Sequence, residues 1–236
     1  MTEPIVFLPG MMCDARLFAP QLDALSRERA IMVAPTCVGD RIEEIASNVL
    51  TSAPAKFALA GLSMGGIVAM EVYRRAPERV TRIALMSTNP MAELPDRAAA
   101  REPQIVKVKA GRLPEVMADE MKPQYLAQGP YRQEILNLCM DMAEALGPDV
   151  FIRQSRALQR RRDQQATLRK IKCPALVLCG EHDQLCPPER HQFMAELIPY
   201  SIFKVIGGAG HLPTLEQATV VNDLMREWLR QPLVLQ

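Results

Sequence analysis

Short apolar runs recur along the chain at residues 5–8, 30–34, 57–61, 82–87, 175–179 and 202–206, each rich in Val, Ile and Leu. Consecutive rather than alternating apolar positions suit strands of a parallel sheet covered on both faces. The stretches between them carry helical spacing instead. Phe18, Leu22 and Leu25 fall on one face, as do Ile42, Ile45 and Val49. Near the C-terminus Val221, Leu224, Met225 and Trp228 fall together, after Pro213 and a Thr214-x-x-Gln217 pattern that reads as a helix cap. Strand and helix in alternation predict an α/β fold, a doubly wound and mainly parallel sheet of about six strands.

From about residue 89 to 170 the rhythm breaks. No strand-like run occurs there, and Pro95, Pro103, Pro114, Pro123, Pro130 and Pro148 punctuate charged, helix-favouring segments. Helices are expected near 97–110, 113–121, 131–145 and 148–161. Residues 1–88 and 171–236 then form the core domain, and 89–170 a helical cap, or lid, inserted into it. Leu126, Tyr131, Leu138 and Met142 are candidates to face a pocket, with packing between cap helices an equal alternative.

Composition narrows the partners. Of 236 residues 48% are hydrophobic, enough for a large core, and 28 Lys and Arg against 27 Asp and Glu leave a formal charge of +1. Such a balance offers no global field for nucleic acid or anionic lipid, so a small-molecule partner is expected, with neither nucleic acid nor membrane. Apolar stretches stay well under the length of a membrane span, and residues 1–30 lack the pattern of a secretory signal. The cysteines at 13, 37, 139, 173, 179 and 186 show no Cys-x-x-Cys pair, which fits free thiols in a reducing cytoplasm.

The strongest chemical signal is Gly61-Leu62-Ser63-Met64-Gly65-Gly66, between an apolar run and a helical stretch. A serine on a tight strand-to-helix turn needs small neighbours two residues to either side. The turn lifts its hydroxyl above the sheet, beside a helix N-terminus that favours negative charge. A serine nucleophile needs a base, and there are three histidines. His211, in Gly207-Gly208-Ala209-Gly210-His211, follows the last expected strand and can reach the carboxyl edge of the sheet. His191 reads as structural or solvated within a helix, and His182 has no evident reason to face Ser63. Asp183, on the loop leaving the fifth expected strand, is the candidate acid to orient the imidazole, with Glu181 the runner-up. The order Ser, Asp, His is the one this kind of fold uses. Backbone amides of Met64 and Met11 are the candidate oxyanion donors, the latter from the loop after the first strand. Arg160-Arg161-Arg162 reads as a solvated helix face, with binding of a substrate carboxylate the alternative. Cys13, Met11 and Met12 read as core filling or pocket lining.

Four blocks, Leu8-Pro9-Gly10-Met11, the Ser63 segment, Leu178-Cys179-Gly180-Glu181-His182-Asp183 and Gly208-Ala209-Gly210-His211, together resemble the α/β-hydrolase superfamily over nearly the whole chain. Within it the chain looks most similar to small bacterial carboxylesterases and 3-oxoadipate enol-lactonase-like hydrolases with a helical cap. The resemblance implies a cytoplasmic serine hydrolase acting on a small carboxylic ester or lactone through an acyl-enzyme, with no cofactor and no metal. It leaves oligomeric state open. A C–C bond or thioester hydrolase with the same triad is the alternative, and a non-catalytic ligand receptor the remoter one. Two departures stand out: Pro9-Gly10 replaces the His-Gly common in relatives, and the opening antiparallel strands are missing. Aspartate-elbow relatives such as epoxide hydrolases and dehalogenases are excluded by Ser63. No Gly-x-Gly-x-x-Gly, Walker loop or His-Glu-x-x-His occurs.

Overall fold

The computed structural model describes residues 2–121 and 125–233, without the side chains of 120 and 121. Pro123 therefore lies outside the described residues. Six strands pair in parallel in the order β2-β1-β3-β4-β5-β6. They are β1 (Ile5–Leu8), β2 (Ile31–Val33), β3 (Phe57–Leu62), β4 (Val80–Met86), β5 (Ala175–Gly180) and β6 (Ser201–Ile206). Five of the six match the apolar runs to within a residue. β4 begins at Val80, two residues before its run. There Val80 pairs with Phe57 across a register irregularity, and the polar Thr81 hides the extension from a hydrophobicity reading.

Every residue of β1, β3 and β5 is buried, as a sheet covered on both faces requires. Alternate side chains feed two cores. Val6, Leu8, Leu59, Leu85 and Val177 pack with helices α2 (Ile42–Ser52) and α3 (Met64–Arg75). Ile5, Phe7, Ala60, Met86 and Leu178 pack on the other side, against Leu25 of α1 (Ala19–Leu25) and the C-terminal helix. β6 is an edge strand and leaves Lys204 and Val205 exposed.

Between β4 and β5 the chain is helical: α4 (Pro95–Lys109), α5 (Leu113–Glu115) running into a π-helical turn at Val116–Met121, α6 (Arg132–Leu146), α7 (Pro148–Gln159) and α8 (Gln165–Leu168). Proline at the first turns of α4 and α7 suits positions whose N–H has no helical partner, whereas Pro103 lies inside α4 on its exposed side. These helices share the cores of the sheet. Ile105, Val108, Phe151 and Leu158 join the first cluster, and Ile135, Cys139 and Met142 the second.

After β5 come α9 (Pro188–Leu197), then β6, α10 (Pro213–Glu216) and α11 (Ala218–Arg230). α11 buries Val221, Met225, Trp228 and Leu229, close to the expected face. The expected Thr214-x-x-Gln217 cap is not formed. α10 is a single turn that begins after Leu212, α11 starts afresh after Gln217, and the Thr214 hydroxyl is buried without a hydrogen-bond partner among the described residues. The reaching-back carboxylate is Glu216, which accepts from the Leu212 amide at 3.0 Å. No helix among the described residues is long and apolar enough to cross a membrane.

Candidate active site

The sheet order changes direction between β1 and β3, and in doubly wound sheets the crevice above such a point holds the ligand. Ser63 stands there, between the end of β3 and α3, with φ 56° and ψ −118°. A Cβ on Gly61 would lie 2.3 Å from the Gly65 carbonyl oxygen, and one on Gly65 would lie 1.9 Å from that of Leu8. Only glycine fits these close approaches, the physical content of the small-x-Ser-x-small pattern. A non-glycine residue at such a φ costs about 1–3 kcal/mol and persists only where its surroundings hold it. Here the Ser63 amide donates to Met86 O at 2.9 Å, and the Thr88 hydroxyl donates to Ser63 O at 2.7 Å.

Three side chains from separate strand ends meet above this turn. His211 Nε2 lies 2.9 Å from Ser63 Oγ, and His211 Nδ1 lies 2.9 Å from both carboxylate oxygens of Asp183. Asp183 is buried and also accepts from the amides of Leu185 at 3.0 Å and Cys186 at 2.8 Å. Burial alone would raise its pKa, but the His211 charge and these hydrogen bonds outweigh it, so the carboxyl sits below its ordinary value. An ionised Asp183 fixes the tautomer with a proton on Nδ1, leaving Nε2 free to accept from Ser63.

The loop that carries His211 is fastened by a residue that sequence reading did not single out. The Glu216 carboxylate accepts from the amides of Gly210, Leu212 and Ala127 at 2.8–3.0 Å, while the His211 amide donates to Tyr125 O. Burial raises the Glu216 pKa despite these donors. The available signal is a glutamate one helical turn after a loop rich in glycine; it sits inside the expected Thr214-x-x-Gln217 cap, one residue before Gln217.

The other candidates separate cleanly. Glu181 is largely exposed, accepts from the Gly208 amide and lies 3.6 Å from His182, itself exposed. His191 is fully buried, accepts from the Thr88 amide at 2.8 Å through Nε2 and faces Pro187 O through Nδ1. Burial pulls its pKa down to about 4, so it stays neutral and structural.

A cavity of about 400 Å³ opens beside Ser63 and His211, and Met11 and Met64 line it. Among the described residues neither the Met11 nor the Met64 amide has a hydrogen-bond partner. Met12 follows at φ 55°, its amide donating to Gln154 Oε1 of α7 at 2.8 Å. Gln154 Nε2 donates in turn to Thr36 O, and the Thr36 hydroxyl to Pro9 O. The loop that lacks the relatives' histidine is thus held by a glutamine and a threonine.

The structure decides between the two readings left open for the insertion's apolar residues, in favour of packing for Leu138 and Met142, and corrects part of the reading of the arginines. Leu126, Tyr131, Leu138 and Met142 are not among the residues lining this cavity: Tyr131 is 67% exposed, Met142 is core, Leu138 packs against the second cluster and Leu126 borders a separate depression. α4 contributes Arg97, Ala100, Arg101 and Gln104 instead. The arginine triplet is a solvated face only in part, since Arg160 and Arg162 are exposed and Arg161 is turned inward. It follows α7, and Arg161 is 9% exposed, pairs with Glu93 at 3.4 Å and borders the cavity, whereas Arg160 pairs outside with Asp40 at 2.9 Å. Cys13 and Met11 do line it, while Met12 belongs to the core.

Among solved structures, a thermophilic esterase from Thermogutta terrifontis shares 28% identity and superposes with a TM-score of 0.88, covering 97% of this chain and 89% of its own. The enol-lactonase of Burkholderia xenovorans LB400, at 24% identity and TM-score 0.85 over 98% and 92% of the two chains, has the same fold. A pimeloyl-[acyl-carrier protein] methyl ester esterase of Photobacterium profundum is 25% identical across 81% of this chain and 77% of its own. The sequence pattern of the Alpha/beta hydrolase family matches residues 5–224, nearly the whole of the sheet and its helices, and the chain belongs to that family.

Proposed function

We propose that the protein is a serine hydrolase that cleaves a small carboxylic ester or lactone through an acyl-enzyme. The observation that carries this reading is the continuous Ser63–His211–Asp183 contact, 2.9 Å at each link, at the wall of a cavity lined by Met11 and Met64, whose amides have no hydrogen-bond partner among the described residues. His211 Nε2 accepts the Ser63 proton as Oγ bonds to the substrate carbonyl carbon. The carbonyl oxygen takes the negative charge and is held by the Met11 and Met64 amides. His211 then gives the proton to the departing alkoxide as the C–O bond breaks. Water gives a proton to His211 and attacks the acyl carbon, the bond from that carbon to Ser63 Oγ breaks, and His211 returns the proton to Oγ as the acid leaves. Asp183 orients the imidazole and stabilises its charged form.

The segment 89–170 serves as a cap over this cavity, since α4 and the end of α7 line it. Esterase relatives support the ester bond as the target, and the cavity size suits a small substrate. The reading is tested by a panel of esters, lactones, thioesters and vinylogous diketones, together with a serine-directed phosphonate. Adduct is expected on the peptide holding Ser63, and Ser63→Ala should lower kcat about 10⁴-fold on any accepted ester. Adduct elsewhere with Ser63→Ala still active would overturn it.

A further inference from the structure

The cavity beside Ser63 holds more positive charge than its own carboxylates balance. Arg97 and Arg101 reach it from α4, Arg161 from the turn after α7 and Arg190 from α9, whereas Glu93 is the one carboxylate among its described lining residues. Glu93 is already shared. Its side chain is 2% exposed and lies 3.1 Å from Arg101 and 3.4 Å from Arg161. Arg161 also donates to Met91 O at 3.0 Å, and Arg101 lies 3.9 Å from the Met11 sulfur, next to the loop that follows β1. The guanidinium groups of Arg97 and Arg190 have no hydrogen bond or ion pair among the described residues; the Arg190 backbone amide donates to Pro187 O at 3.0 Å.

These groups converge. The fields of Arg190, Arg161 and Arg97 all act on the thiol of Cys186, which lines the same cavity. Burial lowers the Arg161 pKa against the pull of Glu93, and repulsion from Arg101 and Arg190 lowers it further. Like charges gathered in a partly desolvated cavity cost free energy that an incoming anion would recover. A guanidinium that is not committed to a protein carboxylate is free to form the two-pronged pair with a substrate carboxylate. The rest of the cavity is suited to a short hydrocarbon chain, with Leu62, Ile67, Leu158 and Leu212 on its walls.

We propose that Arg97 and Arg190 form a subsite for an anionic group on the substrate, a carboxylate separated from the scissile ester by a short methylene chain, with Arg101 and Arg161 held by Glu93 as the supporting charge. The inference rests on the ester hydrolysis proposed above and specifies its substrate class: half-esters of short dicarboxylic acids, or esters of equal charge whose carboxylate lies on the alcohol side.

The test compares kcat/KM for monomethyl adipate with that for methyl hexanoate, and for 4-acetoxybutyrate with butyl acetate. The anionic member of at least one pair is expected to be preferred about tenfold or more. The pair that shows the preference tells which side of the ester carries the carboxylate. The preference should shrink in about 0.5 M NaCl, where screening reaches only a few Å. Arg190→Gln and Arg97→Gln should each reduce the ratio about tenfold, the usual scale of a charge-assisted hydrogen bond, chiefly through KM. Arg226→Gln, on α11 away from the cavity, should leave the ratio as it is. A ratio near one in both pairs, or a ratio that neither cavity variant changes, would overturn the subsite and make these arginines a solvated rim.

A second measurement separates this outcome from failure of the hydrolase reading. Calorimetry of adipate binding to the Ser63→Ala protein needs no turnover. Binding that weakens in Ser63→Ala/Arg190→Gln upholds the subsite even if no ester is cleaved. Ester cleavage without adipate binding defeats the subsite alone, and absence of both defeats both.

Discussion

Asp183 and Glu181 stand two residues apart on one loop, and both can carry a negative charge. What divides them is where the chain turns after β5. Asp183 is turned inward, buried against His211 Nδ1 at 2.9 Å, while Glu181 points out to His182 and the Gly208 amide. Asp183→Asn removes the charge that stabilises the imidazolium and permits the wrong tautomer, a change worth about 10⁴-fold in kcat in the best-studied serine triad. Glu181→Gln should stay within a few-fold of the parent, since exposed pairs contribute little. Steady-state kinetics on one ester, with circular dichroism to establish folding, distinguishes them. Equal losses in both variants would remove Asp183 from its assigned role. Asp183 was legible from its place after a strand, whereas Glu216, the residue that fastens the His211 loop, was not. Its three amide partners come from Ala127, Gly210 and Leu212, and no local spacing links residue 127 to residue 216.

Among the elements, α3 joins the candidate site to the stability of the molecule. It is buried from Met64 to Tyr73, and Glu71 in its middle has a fully buried carboxylate. Burial would raise the Glu71 pKa, but hydrogen bonds from Arg74, Arg75 and Gln164 carry it down to about 2. A carboxylate depressed in the folded state stabilises the fold above its ordinary value, about 4.3, and loses that contribution as pH falls towards 2. The stability gap between the parent and Glu71→Gln should therefore be roughly 3 kcal/mol near neutral pH and close between about pH 4.5 and 2. Urea unfolding at a series of pH values measures it, and a gap independent of pH would show that Glu71 acts by packing alone. α3 and the strands were legible as elements because apolar runs and a Gly-flanked serine mark them. The break between α10 and α11 was not, because Gln217 departs from helical geometry with φ −135° and no Gly or Pro between residues 214 and 230 marks a stop.

At the scale of the whole molecule, Gln154 links the helical insertion to the core. It is fully buried, its oxygen taking the Met12 amide and its nitrogen giving to Thr36 O, so α7 holds the loops after β1 and β2 together. Gln154→Ala would leave the Met12 amide unpaired at a φ of 55° and loosen the neighbouring Met11 amide. Expected are a fall in kcat of about tenfold with a smaller change in KM, and a loss of about 1–3 kcal/mol in stability. Gln154→Glu, which keeps the acceptor but not the donor, should recover part of kcat. A variant that loses stability but keeps kcat would show that the loop needs no support from the insertion.

The sequence by itself determined the α/β class, the six strands and the three side chains that meet, because burial on both faces and a crowded turn leave local signatures in residue type and spacing. Only the tertiary structure decided the strand order, the grip of Glu216 and Gln154, and the turning of Arg161 into the cavity while Arg160 faces Asp40. These depend on contacts between residues tens to more than a hundred positions apart. A side chain's partner at that range is set by how helices pack on the sheet, and residue spacing along the chain carries no record of it.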